Sequence, residues 1–171
     1  MDYRPFDITL HSASGLKDVN FFSSMRVYMV VSIVGDSNSR QETPISKCHG
    51  KNPAWEFGMR FYVEESKLHQ NCLMLVLKLR CSQTVGGDKD VGEVCVPLKK
   101  LFDSAEGQKE IPAVTHKVIT PAGKQRGVLC FSYGFGKTIP VRTAVPSAPC
   151  LSPSAPYLPP EGYFFPGYGY I

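Results

Sequence analysis

The segment Asn52-Pro53-Ala54-Trp55-Glu56-Phe57-Gly58-Met59-Arg60-Phe61 holds a start signal followed at once by a patterned run. Asn-Pro opens a turn, Pro53 fixes the backbone, and Trp55 begins a buried strand as a large core aromatic. From Trp55 the period is two. Trp55, Phe57, Met59 and Phe61 fall on one side, and Glu56, Gly58, Arg60 and Tyr62 on the other. The same alternation appears on both flanks of this segment. Phe6, Ile8 and Leu10 share a face, as do Val27, Met29, Val31 and Ile33, and Leu73, Leu75, Leu77 and Leu79. Val94 with Val96 continue the pattern, and Leu129, Phe131, Tyr133 and Phe135 close it. Weaker runs lie near Glu42–Lys47 and His116–Ile119, and short helical turns are expected at Glu64–His69 and Leu98–Phe102. Short strands divided by turn signals give an all-β fold of about eight strands, an antiparallel sandwich of two sheets.

Composition changes after Lys137. Residues 138–171 hold eight of the fourteen prolines and two charged groups, Arg142 and Glu161. Proline at that density removes backbone donors, so the expected organisation is a domain over 1–137 and a disordered Pro/Tyr/Gly-rich tail over 138–171. Apolar residues make up 43% and charged residues 20%, a globular profile. The first twelve residues lack the continuous apolar core of a signal peptide, and the longest apolar stretch, Tyr28 to Val34, is too short to span a bilayer. The cysteines show no C-x-x-C spacing and no zinc-like pairing with histidine; they read as free thiols that pack as small hydrophobes at Cys72, Cys81, Cys95 and Cys130. A cytoplasmic protein is expected. A net charge of +4 is enough for weak attraction to an anionic surface and too little for a nucleic-acid footprint.

Residues 4–136 resemble a C2 domain. Asn52-Pro53-Ala54-Trp55 sits between the strand near Thr43 and the strand ending at Phe61, as in that family. The run Val27-Tyr28 to Ile33, Leu79-Arg80-Cys81, Gly86-Gly87-Asp88-Lys89-Asp90-Val91-Gly92-Glu93-Val94 and Gly127-Val128-Leu129 to Tyr133 are similar to the small plant C2 proteins of the cold-regulated type. These pair one C2 domain with a Gly/Tyr/Pro-rich tail. The resemblance implies peripheral membrane association and roles in cold, calcium or defence responses.

Calcium-binding C2 domains gather about five aspartates from two loops, since a hard cation takes several oxygens. Position by position, the resemblance places these at Asn20 (with Asp18 nearby), Arg26, residues near Cys81 and Gln83, and Lys89 flanked by Asp88 and Asp90. Arg26 puts a fixed positive charge where a carboxylate belongs. The expectation is a degraded site with weak calcium binding or none, and no other cofactor.

Membrane contact has two candidate sources. Phe21 and Phe22 are adjacent in the first loop, so at least one is expected to point into solvent, with Val85 in the third loop able to join it; the alternative is that Phe21 or Phe22 folds back to plug the sandwich end. Lys47, Lys51, Lys78 and Arg80 could form a basic face for anionic phospholipid headgroups, or be merely solvated. In the tail, Pro-Ser-Ala-Pro occurs twice, with Pro146, Pro149, Pro153 and Pro156, and looks like a peptide ligand of endosomal sorting domains. No Gly-x-Ser-x-Gly elbow or phosphate loop is present, and no catalytic arrangement of His and Asp follows from spacing, so an enzyme is not expected. The function expected is a C2 adaptor resting reversibly on an intracellular or plasma membrane and recruiting a protein partner. The alternative is a soluble protein-interaction module that does not touch lipid.

Overall fold

The computed structural model describes residues 1–36, 39–109 and 112–140. The tail motif at Pro146, Pro149, Pro153 and Pro156, and the reading of the tail from 141 onward as disordered, lie outside the described residues. The elements run β1 (Asp2–Ser14), β2 (Val27–Val34), β3 (Arg40–Glu42), β4 (Ala54–Glu64), α1 (Glu65–His69), β5 (Met74–Cys81), β6 (Lys89–Pro97), α2 (Leu98–Ala105), β7 (Ala113–Ile119), β8 (Gln125–Phe135) and β9 (Ile139–Pro140). Eight of these strands follow one antiparallel path, β3-β2-β5-β6-β7-β8-β1-β4, and β9 pairs with β1.

That path folds into two leaves. The strands β3-β2-β5-β6 and β7-β8-β1-β4 meet at the single pair Glu93↔Ile119. Gly92 sits at this junction because a Cβ there would lie 2.5 Å from Val118 Cγ1 and 3.0 Å from Ile119 O. The alternating faces read from sequence turn inward from both leaves. Phe6, Ile8, Leu10, Val27, Met29, Val31, Ile33, Leu75, Leu77, Leu79, Leu129 and Phe131 are all buried in one cluster. This is a two-sheet core, and burying each such side chain contributes about 1.5–3 kcal/mol.

Three local readings are corrected. The weak run at Glu42–Lys47 is not a strand; β3 ends at Glu42. The chain beyond it still hooks onto β2, through Thr43 N to Met29 O (2.9 Å) and Ser46 N to Val27 O (2.8 Å). Trp55 is half-buried at the rim of the core and not inside it. Of the thiols expected to pack as hydrophobes only Cys81 is buried; Cys72, in the turn before β5, is exposed, and Cys95 (exposed) and Cys130 (half-buried) alternate with the inward residues of their strands.

Candidate functional site: the loop end of the sandwich

The loop between β1 and β2 (residues 15–26, L1) and the loop between β5 and β6 (82–88, L3) leave the same end of one leaf. The β2–β5 register fixes this, with Val27 opposite Cys81. The loop between β3 and β4 (43–53, L2) joins them. Gly15 N donates to Asn52 Oδ1 (2.9 Å), Leu16 N to Lys51 O (3.2 Å), Ala13 N to Pro53 O (3.0 Å) and Gly50 N to Met25 O (2.9 Å). Trp55 completes the stitching by donating from Nε1 to Val27 O (3.2 Å). The Asn-Pro-Ala-Trp segment therefore clamps the base of L1 from both sides and ties β4 in one leaf to β2 in the other. Inside L2, Ser46 Oγ accepts from Ala54 N (2.9 Å) and Cys48 N (3.0 Å), which holds the loop shape.

Above that base the tip of L1 is apolar and open. Phe21 is 94% exposed, Phe22 101% and Val85 87%. The two rings lie 6.4 Å apart and neither folds back over the core, so the plugged-end alternative is not what the chain adopts. Adjacent residues in a loop carry no periodicity, and sequence alone could not choose between the two.

The polar groups at this end are engaged with one another. Asp18 Oδ1 accepts from Asn20 N (2.9 Å), and Asn20 Nδ2 reaches Ser23 Oγ (3.3 Å). Gln83 Nε2 donates to Asn20 Oδ1 (3.0 Å), and the Lys89 ammonium donates to Val19 O (3.1 Å). Asp88 takes the Tyr28 hydroxyl on one oxygen and Gln83 N (3.1 Å) on the other. Those two donors hold its carboxyl below the usual carboxylate range, while burial and then the Asp88 hydrogen bond push the Tyr28 phenol up. Asp90 is paired with Arg80 (2.9 Å), whose Nη2 also donates to Asp88 O (3.0 Å). Arg26 is half-buried, and its backbone carbonyl receives Ser82 N (2.9 Å).

Calcium takes six to eight oxygens. Asp18, Asp88 and Asp90 each already accept protein donors, and Lys89 brings a cation between the loops. Among the described residues no group of three or more His, Cys, Asp or Glu side chains gathers in a way that could hold a metal ion. The residues present do not fit the ion.

The four residues proposed as a basic face do not form one array. Lys47 and Lys51 are exposed on L2, at the loop end. Lys78 and Arg80 lie on the outer side of β5, where Lys78 stands opposite Glu93 in register and Arg80 is neutralised by Asp90. Lys17, exposed in L1, is a loop-end cation that the strand pattern gave no reason to select.

A Ser–His–carboxylate chain appears elsewhere, on the outer face of the second leaf. His11 Nε2 lies 3.0 Å from Ser132 Oγ and its Nδ1 2.6 Å from Glu56 Oε1. It coincides with the register shift of β1 between Leu10 and Ser12 and with Glu56 at φ 46°. The Ser132 backbone stands in register between Thr9 and Ala113 in a three-strand ladder. The cluster pins a bulge, a role that needs no chemistry.

The fold is matched by known proteins. The C2 domain family model matches residues 5–113. The chain belongs to the C2 domain family. Its relatives include Protein SRC2 homolog of Arabidopsis thaliana, 40% identical over 137 residues, covering 80% of this chain and 42% of that protein. Protein SRC2 of Glycine max is 38% identical over 146 residues, covering 84% of this chain and 50% of that protein. The chain thus spans about half the length of these curated relatives. Among solved structures a C2 domain of plant Extended Synaptotagmin 1 superposes with a TM-score of 0.63 at 19% identity, covering 77% of this chain and 93% of that one. That likeness is one of fold. Among the described residues of this C2 chain no helix is long and apolar enough to cross a membrane.

Proposed function

We propose that this C2 domain is a non-enzymatic, peripheral membrane-docking module of the cytoplasm. In this reading it seats its loop end in an anionic bilayer without calcium and works as an adaptor for a protein partner in plant stress or defence signalling. The exposed triplet Phe21, Phe22 and Val85 at one end carries this reading. Two adjacent rings held in water cost free energy that an acyl boundary returns. Burying both is worth about 3–6 kcal/mol by area. That is comparable to a single lipid anchor, which gives only marginal, reversible binding. The second signal falls to the loop-end cations Lys17, Lys47 and Lys51, each worth about 1 kcal/mol near an anionic surface. Lys78 and Arg80, beside Glu93 and Asp90, contribute less.

The test is co-sedimentation with phosphatidylserine-containing vesicles in chelator. The double variant Phe21→Ser, Phe22→Ser should lose binding while its melting temperature stays nearly unchanged, because neither ring touches the core. Binding that persists in this variant would rule out insertion. A wild-type chain that ignores vesicles of every composition would favour the soluble interaction module.

A further inference from the structure

We propose that Gln83 and Lys89 form a clip that holds the Phe21–Phe22 tip of L1 in its docking position with no metal ion. The inference rests on the membrane-docking reading for its purpose, and on the loop geometry for its mechanism.

The base of L1 is sewn to L2 at Gly15, Leu16 and Met25, but those bonds stop short of the tip. Between Val19 and Ser24 the hydrogen bonds arriving from outside L1, among the described residues, come from Gln83 to the Asn20 side chain and from Lys89 to the Val19 carbonyl. Val19 and Asn20 are the two residues immediately before Phe21. Both donors stand on fixed ground. Lys89 pairs with Cys81 at the start of β6. Gln83 is held by its own N–H on Asp88 Oδ1, and its Nε2 also lies 3.3 Å from Cys81 Sγ. Asp88 is held in turn by Tyr28 of β2.

The clip is thus a chain from the β2–β5–β6 ladder to the apolar tip. Loops that present only carboxylates repel one another until a cation joins them. Here L3 and the start of β6 supply donors, including a built-in ammonium, and L1 supplies oxygens, so the join forms without an ion. Lys89 and Gln83 are positioning residues, and docking becomes a matter of lipid composition and salt, with divalent ions not involved.

Hydrogen exchange of the full chain in chelator, without vesicles, tests the clip directly. In the Gln83→Leu, Lys89→Met double variant the amides of Asn20 to Ser24 should exchange about fivefold faster, the size of effect expected when two partly exposed hydrogen bonds are lost. Strand amides and the melting temperature should not move. Vesicle affinity should weaken by a similar factor, and Lys89→Arg, which keeps a cationic donor, should behave as wild type. Unchanged L1 exchange in the double variant would overturn the clip, as would Lys89→Arg loosening L1 as the double variant does. So would wild-type L1 exchange that slows sharply on adding calcium. If wild type fails to bind vesicles while the double variant still loosens L1, the clip stands and the docking reading falls.

Discussion

Trp55 shows how one side chain can be placed correctly on its strand face and still be assigned the wrong task. The period of two put it on the inward face, which is right, but it packs at the rim and spends its indole N–H on Val27 O. Trp55→Ala should therefore cost about 3 kcal/mol, the low end for a large aromatic, in a chemical denaturation experiment. Trp55→Phe, which keeps the ring and drops the donor, should cost about 1 kcal/mol. Nothing local in Asn-Pro-Ala-Trp names Val27 as its partner, since the bond spans two leaves. Glu65 is a second case invisible to spacing. Arg4 donates to both its oxygens (2.7 and 2.8 Å) and His69 lies 2.8 Å away, and with the Arg4 hydrogen bonds leading these hold its pKa at about 2. The folded value lies below the unfolded one, so the unfolded chain binds more protons and the pair stabilises fully only above the usual carboxylate range. That contribution, about 1–2 kcal/mol after solvent screening, should fade as pH falls from about 4.5 towards 2. Glu65→Gln should flatten the acid limb of a stability–pH curve across that window.

Strands were the most legible level, because a half-buried sheet writes its period directly into the sequence. The inward faces of β1, β2, β5 and β8 are the ones that the alternation names. Bulges are less visible. Leu79 pairs with Gly92 and Arg80 with Asp90, so Val91 is the extra residue, and both Val91 and Gly92 are buried. This shift turns Asp90 towards Arg80, which occupies its carboxylate. The resemblance could list Asp90 as a candidate ligand; only the register shows where it is spent. Gly92 also closes the seam between the leaves, and Gly92→Ala should drive a methyl against Val118 and the Ile119 carbonyl. A loss of about 1–3 kcal/mol in denaturant unfolding is expected. If Gly92→Ala instead melts like wild type, the leaves are not in contact there.

Backbone and side-chain contacts among the described residues continue past the boundary that composition suggests. Composition placed the domain edge after Lys137, yet Thr138 Oγ1 reaches Glu65 Oε2 (3.3 Å) and β9 adds to β1. A chain ending at Pro140 should melt with the full chain, whereas one ending at Lys137 should melt about 2–4 °C lower for about 1 kcal/mol lost. Proline counting does not register these contacts, since so short a strand leaves little trace in composition. Calcium gives the broadest test, because an ion bound to the native state alone raises stability by mass action. Asp18, Asp88 and Asp90 already accept protein donors, and the Lys89 ammonium already joins the loops. An entering ion would have to displace those donors. Thermal melts in chelator and in about 1 mM free calcium, the weak end of protein sites, should therefore overlap. A clear upward shift would mean that Asp18, Asp88 and Asp90 can release their partners together, and the metal-free assembly of the loops would then be wrong.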